Sequence, residues 1–90
     1  MKKVRKHFVF SGRVQGVGFR YRAAYAAKGI GLTGWVKNNW DGSVEMEVQG
    51  TIDQINKMLI LLNQGDYIII NNIEEKEIML DEKEKKFHIK

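Results

Sequence analysis

The chain has 90 residues, no cysteine and no proline, 15 lysines and arginines against 11 aspartates and glutamates, and a net charge of +4. A single domain spanning 1–90 is expected, since a chain of this length buries roughly 60 to 70% of its unfolded surface, enough for a core without covalent staples. Missing cysteine excludes disulfides and thiolate metal sites. No apolar run approaches membrane length, and Met1 to Lys6 lacks the hydrophobic segment of a signal peptide, so a cytoplasmic protein without a membrane partner is expected. The positive balance favours anionic partners, either phosphorylated small molecules or nucleic acid.

Val4 to Phe10 is rich in β-branched and aromatic residues and predicts a first strand, ended by Ser11-Gly12. Phe19, Ala23, Ala27 and Ile30 then recur at helical steps, and Gly29 and Gly31 stop that helix. Leu32 to Asn39 and Ser43 to Gln49 read as strands joined by Trp40-Asp41-Gly42, where Asp-Gly is a hairpin signal. In the second of them Val44, Met46 and Val48 alternate with Glu45, Glu47 and Gln49, leaving one face wet. Thr51 and Gln54 stand at capping-box spacing before a second amphipathic helix carrying Ile52, Ile55, Leu59 and Leu62, which ends near Asn63-Gln64-Gly65. Tyr67 to Leu80 is mostly strand, and Phe87 with Ile89 suggests a short terminal strand after the charged turn Asp81 to Lys86. The order β-α-β-β-α-β is the α+β ferredoxin-like split βαβ arrangement, an antiparallel sheet with two helices on one face.

The loop between the first strand and helix, GRVQGVGFR over Gly12 to Arg20, carries the most chemistry. Gly16 and Gly18 give positive-φ freedom and let a ligand approach the backbone, while successive N–H groups entering a helix form a concave anion site. Arg20 falls in the first helical turn, where a cation meets the positive end of the macrodipole at a cost of roughly 0.3 to 1 kcal/mol. A guanidinium beside backbone donors suits a phosphoryl group. The alternative is that the glycines only make the turn and Arg20 extends into solvent, and spacing leaves both readings open. A dinucleotide fingerprint fails at Tyr21, and a Walker loop fails for want of the Gly-Lys-Ser/Thr ending. Asn38 shares a strand face with Leu32 and Val36. Its residue type before an Asp-Gly turn favours a turn-forming role over the orientation of a water or substrate oxygen.

GRVQGVGFR followed by GLTGWVKN, from Gly31 to Asn38, resembles the acylphosphatase family, small enzymes that hydrolyse the carboxyl-phosphate anhydride of acyl phosphates. The resemblance continues through VEMEVQG and extends more weakly over nearly the whole chain. It implies that Arg20 is the phosphate-binding catalytic arginine and that Asn38 positions the attacking water. Gln15, Gly16, Val17, Gly18 and Phe19 would complete the phosphate cradle with Arg20. An acyl phosphate substrate, inorganic phosphate as product, a monomer, and neither cofactor nor metal follow from the same resemblance. The chain departs from the family at Thr51, where a proline often follows the glycine, and at Gln64 to Tyr67, where the family connection is rich in Gly and Pro.

Other chemistry is thin. His7 and His88 lie on terminal strands and are not placed to serve Ser11 in a triad; Glu45 and Glu47 share a wet face, and Glu74, Glu75 and Glu77 read as surface charge. No His, Asp and Glu spacing suggests a metal site. A carboxylate leaving group removes the need for a strong general acid, so an arginine, an amide and backbone donors suffice for positioning and electrostatic stabilisation. Two rivals are a single-stranded RNA module using N-terminal lysines and Trp35 on the outer sheet face, and a domain that acts on or binds carbamoyl phosphate within a hydrogenase-maturation protein. The aromatic signature of the first belongs on a central strand but here opens a helix. The length argues against the second.

Overall fold

The structure, a computed structural model, describes residues 2–90. Its elements run β1 (Lys3–Arg13), α1 (Phe19–Ile30), β2 (Thr33–Asn38), β3 (Val44–Thr51), α2 (Ile52–Asn63), β4 (Ile69–Ile78) and β5 (Phe87–Ile89). The sheet order is β4-β1-β3-β2-β5, with β1 central to the two antiparallel pairs that place β3 on one side and β4 on the other. Period-two alternation sends Phe8, Phe10, Val36, Val44, Met46 and Val48 to one face, where they pack with Phe19, Ala23 and Ala27 of α1 and Ile55, Met58 and Leu62 of α2. This is the ferredoxin-like α+β arrangement, both helices covering that face.

Several boundaries differ from the sequence expectation. β1 does not stop at Ser11-Gly12 but passes through a register irregularity between those residues and continues to Arg13. Gly12 there has φ 126°, and a Cβ would run into the Ile69 carbonyl of β4, so glycine permits the bulge. Gly29 stays helical; Gly31, in the left-handed conformation at φ 96°, ends α1 by donating its N–H to Ala27 O. The capping box at α2 is present in both directions, Gln54 N to Thr51 Oγ1 and Thr51 N to Gln54 Oε1. The buried stripe of that helix uses Met58, while Ile52 is 41% exposed.

The sheet is also not antiparallel throughout. β5 adds at the β2 edge in parallel, Gly34 opposite Phe87 and Val36 opposite Ile89. The β4–β5 connection therefore crosses to the opposite edge, and side chains from the wet face fasten it. Arg5, only 4% exposed, donates to Glu47 and to Glu84, and Gln49 exchanges two hydrogen bonds with the Asp81 backbone. Burial opposes the charge of Arg5, but the hydrogen bonds it donates to Glu84 and Glu47, with the charges of those carboxylates, outweigh it and leave its pKa raised.

Candidate active site

Five residues, Val14 to Gly18, connect β1 to α1. Val14 and Phe19 are each 1% exposed, so the core anchors the loop at both ends. Between them Gly16 and Gly18 take φ values of 71° and 80°, a left-handed conformation that favours glycine, and a Cβ at either would meet nothing nearby. Their role is conformational: two left-handed turns wrap the loop and present its N–H groups. The N–H groups of Gly16, Val17 and Gly18 donate to no carbonyl among the described residues. Gly18 is the N-cap of α1 and offers no side-chain cap, so the first helical N–H groups also stay free.

The loop, the first turn of α1 and the end of β2 enclose a cavity of about 120 Å³, lined by Val14, Gly16, Gly18, Phe19, Arg20, Tyr21 and Asn38. Arg20 is partly buried, no acidic residue shares the first turn, and it forms no ion pair among the described residues. Asn38, at the end of β2, lines the same cavity, and its Oδ1 is buried without a hydrogen-bond partner among the described residues. The lining residues thus bring together a cation, free backbone donors and an amide whose oxygen is unsatisfied. It can hold a compact anion and, beside it, a small hydrogen-bond donor such as water.

The residues singled out by sequence separate into two groups. Gly16, Gly18, Phe19, Arg20 and Asn38 converge on the cavity. Val17 packs toward the core, and the Gln15 side chain turns away, its Nε2 donating to Asn39 O at 2.6 Å and to Ser43 O at 2.9 Å. Those carbonyls belong to the two sides of the β2–β3 turn, so Gln15 clips the hairpin carrying Asn38 to the loop that leads into Arg20. Within the turn, Asp41 Oδ1 accepts from the Ser43 hydroxyl and backbone N–H, and these bonds hold its carboxyl below the usual range. The clip joins residues 24 and 28 positions apart, which no local pattern reveals.

Larger clefts lie elsewhere, among them two of about 540 Å³: one between α2 and β4 with no charged residue in its wall, the other beside the C-terminal end of α1 with Lys28, Lys85 and Lys86. Neither combines a cation with free loop donors. Among the described residues no group of three His, Asp or Glu side chains could hold a metal ion. His7 lies on the wet sheet face, bonded to Glu45 at 2.6 Å. Trp35 on that face is covered by the Lys90 ammonium at 4.3 Å from its ring centroid and approached by that of Lys37 at 5.8 Å. With Glu45 and Glu47 beside it, this surface is a poor stacking platform for nucleic-acid bases. No helix among the described residues is long and apolar enough to cross a membrane.

Fold and cavity together define a small ferredoxin-like α+β protein with a loop-built cavity, lined by one arginine, at the head of its first helix. The Acylphosphatase family pattern matches residues 6–89, and the chain belongs to that family. It is 44% identical over 85 residues to an acylphosphatase of Clostridium perfringens, covering 93% of this chain and 96% of that one. An acylphosphatase of Geobacillus kaustophilus is 45% identical over 87 residues, covering 93% and 90% of the two chains. The crystal structure of acylphosphatase from Bacillus subtilis superposes with a TM-score of 0.87 at 32% identity, over 96% of this chain and 97% of that one.

Proposed function

We propose that this protein hydrolyses acyl phosphates to a carboxylate and inorganic phosphate, with Arg20 and the loop N–H groups binding the phosphoryl group and Asn38 orienting the water. The observation that carries the reading is the cavity itself: an arginine without an acidic partner among the described residues and free loop donors share its lining with Asn38, whose amide oxygen is buried and unpaired. A phosphoryl group in that space receives a bidentate guanidinium contact and several N–H bonds to its equatorial oxygens. Asn38 Oδ1 accepts one hydrogen bond from the attacking water and fixes its direction. The water oxygen bonds to phosphorus as the bond from phosphorus to the carboxylate oxygen breaks, and the electron pair leaves with the carboxylate. Neither a guanidinium nor a carboxamide is a base at neutral pH, so the proton of the water passes to a phosphoryl oxygen. Catalysis then rests on positioning and charge stabilisation.

Arg20→Ala tests this directly. Losing the one charge in the cavity should lower kcat/KM by at least about 100 to 1,000-fold, the range for one oxyanion donor, and should weaken inhibition by inorganic phosphate. Wild-type hydrolysis and wild-type phosphate inhibition in that variant would overturn the proposal.

A further inference from the structure

The cavity of about 120 Å³ holds a phosphoryl group and little more, so the acyl part of any substrate projects through its mouth. What the mouth offers to that acyl group is uneven. Val14 and Phe19 are buried, Gly16 and Gly18 have no side chains, and Arg20 and Asn38 are polar; Tyr21 alone is an apolar side chain both lining the cavity and largely exposed, at 66%. Tyr25 lies four residues on in the same helix and is 82% exposed. Residues at i and i+4 are neighbours on a helix surface, about one turn of roughly 5.4 Å apart along the axis. Two exposed aromatic rings therefore run in line from the mouth along α1.

We propose that Tyr21 and Tyr25 form a track for the acyl tail, which makes acyl phosphates with extended apolar tails, rather than acetyl-sized ones, the preferred substrate class. This rests on the acyl phosphate reading given above. Tyr21 contacts the carbons nearest the anhydride and Tyr25 those about a turn further along. A tail lying on ring faces is covered from one side only, so each methylene in contact should contribute about a twofold gain in affinity, against roughly fourfold for complete burial. The contact does not change as the phosphorus bond breaks. It is uniform binding, and it lowers KM while leaving kcat alone.

Phosphate release from acetyl, butanoyl, hexanoyl and octanoyl phosphate provides the test, with the ratio of kcat/KM for octanoyl over acetyl phosphate as the readout. In the wild type this ratio should be at least about tenfold and carried by KM. Tyr21→Ala should remove most of it, Tyr21→Phe should keep it, and Tyr25→Ala should cut the gain for hexanoyl and octanoyl phosphate while sparing that for butanoyl phosphate. Alanine at an exposed helical position favours the helix, so these variants should remain folded, which thermal melts confirm. Trp40, at the tip of the hairpin and 99% exposed, is the control, and Trp40→Ala should leave the ratio unchanged. The track is overturned by a wild-type KM independent of tail length, by a ratio that survives Tyr21→Ala, or by a ratio that falls with Trp40 instead. If acetyl phosphate is hydrolysed in an Arg20-dependent way without length dependence, only the track fails. If no acyl phosphate is hydrolysed, the reading beneath it fails as well.

Discussion

Asn38 is costly to the fold where it stands. A buried acceptor without a partner forfeits about 1 to 3 kcal/mol of solvation, and nothing in the surrounding protein compensates it. Removing the amide should therefore leave stability level or raise it, while taking away the group proposed to orient the attacking water. For Asn38→Ala we expect kcat to fall by about 100-fold or more, within the range for a lost positioning or oxyanion contact, with phosphate inhibition near wild type. A thermal melt run beside the kinetics separates this from a turn-forming role, which would lower Tm and leave activity at low temperature largely intact. The sequence could not make that separation. An Asn two residues before Trp40-Asp41-Gly42 fits a hairpin as well as a water site; what favours the second is that Asn38 lines the same cavity as Arg20 and keeps a buried, unpaired Oδ1, neither of which local sequence reveals. For Arg20 spacing likewise leaves two readings open, although a cation in a first helical turn is unfavourable on local grounds alone.

At the level of elements, the site is a junction between the β1–α1 loop and the β2–β3 hairpin, and Gln15 is the bond that closes it. Gln15→Ala leaves the Asn39 and Ser43 carbonyls without that donor and should cost about 1 to 2 kcal/mol in chemical denaturation. Because the hairpin also carries Asn38, kcat should drop more than affinity for inorganic phosphate, and a variant equal to wild type in both measurements would exclude the clip. What was legible in the chain follows how far each interaction reaches. The ends of both helices were readable because Gly31 and the Thr51–Gln54 box act within four residues of themselves. The strand faces were readable because burial imposes alternation, as in Val44, Met46 and Val48. The continuation of β1 past Gly12 depends on Ile69 to Asn72 of β4, and the parallel addition of β5 depends on β2, where Gly34 to Val36 pair with Phe87 to Ile89. Such long-range partners leave no periodic trace in the sequence.

Across the whole molecule the sheet separates two kinds of polar group. The cavity opens on the helix side, at the head of α1, whereas Arg5, His7, Glu45, Glu47 and Glu84 interlock on the wet face. The carboxyl of Glu45 is held below its ordinary value of 4.5, first by the hydrogen bond from His7, with Lys37 adding to the effect and burial opposing it. A depressed folded-state pKa means that the unfolded chain takes up the proton first as pH falls. The stabilisation is therefore complete above about pH 4.5 and is lost below it as pH falls through the folded value. Chemistry in the cavity should not follow that curve, since a guanidinium and an amide keep their protonation through neutrality and mild acid. We therefore expect Tm to fall on acidification below about pH 4.5, while kcat measured well below Tm stays flat from mild acid to neutrality, apart from the phosphate ionisation of the substrate itself. His7→Ala separates the two faces: its acid-side loss of Tm should be shallower than in the wild type, with kcat unchanged. EDTA should also leave kcat unchanged, because binding here is assigned to Arg20 and backbone N–H groups. A bell-shaped kcat profile that disappears in His7→Ala would show that the wet face takes part in the chemistry, and inactivation by chelator would show that a cation shares the phosphoryl charge with Arg20.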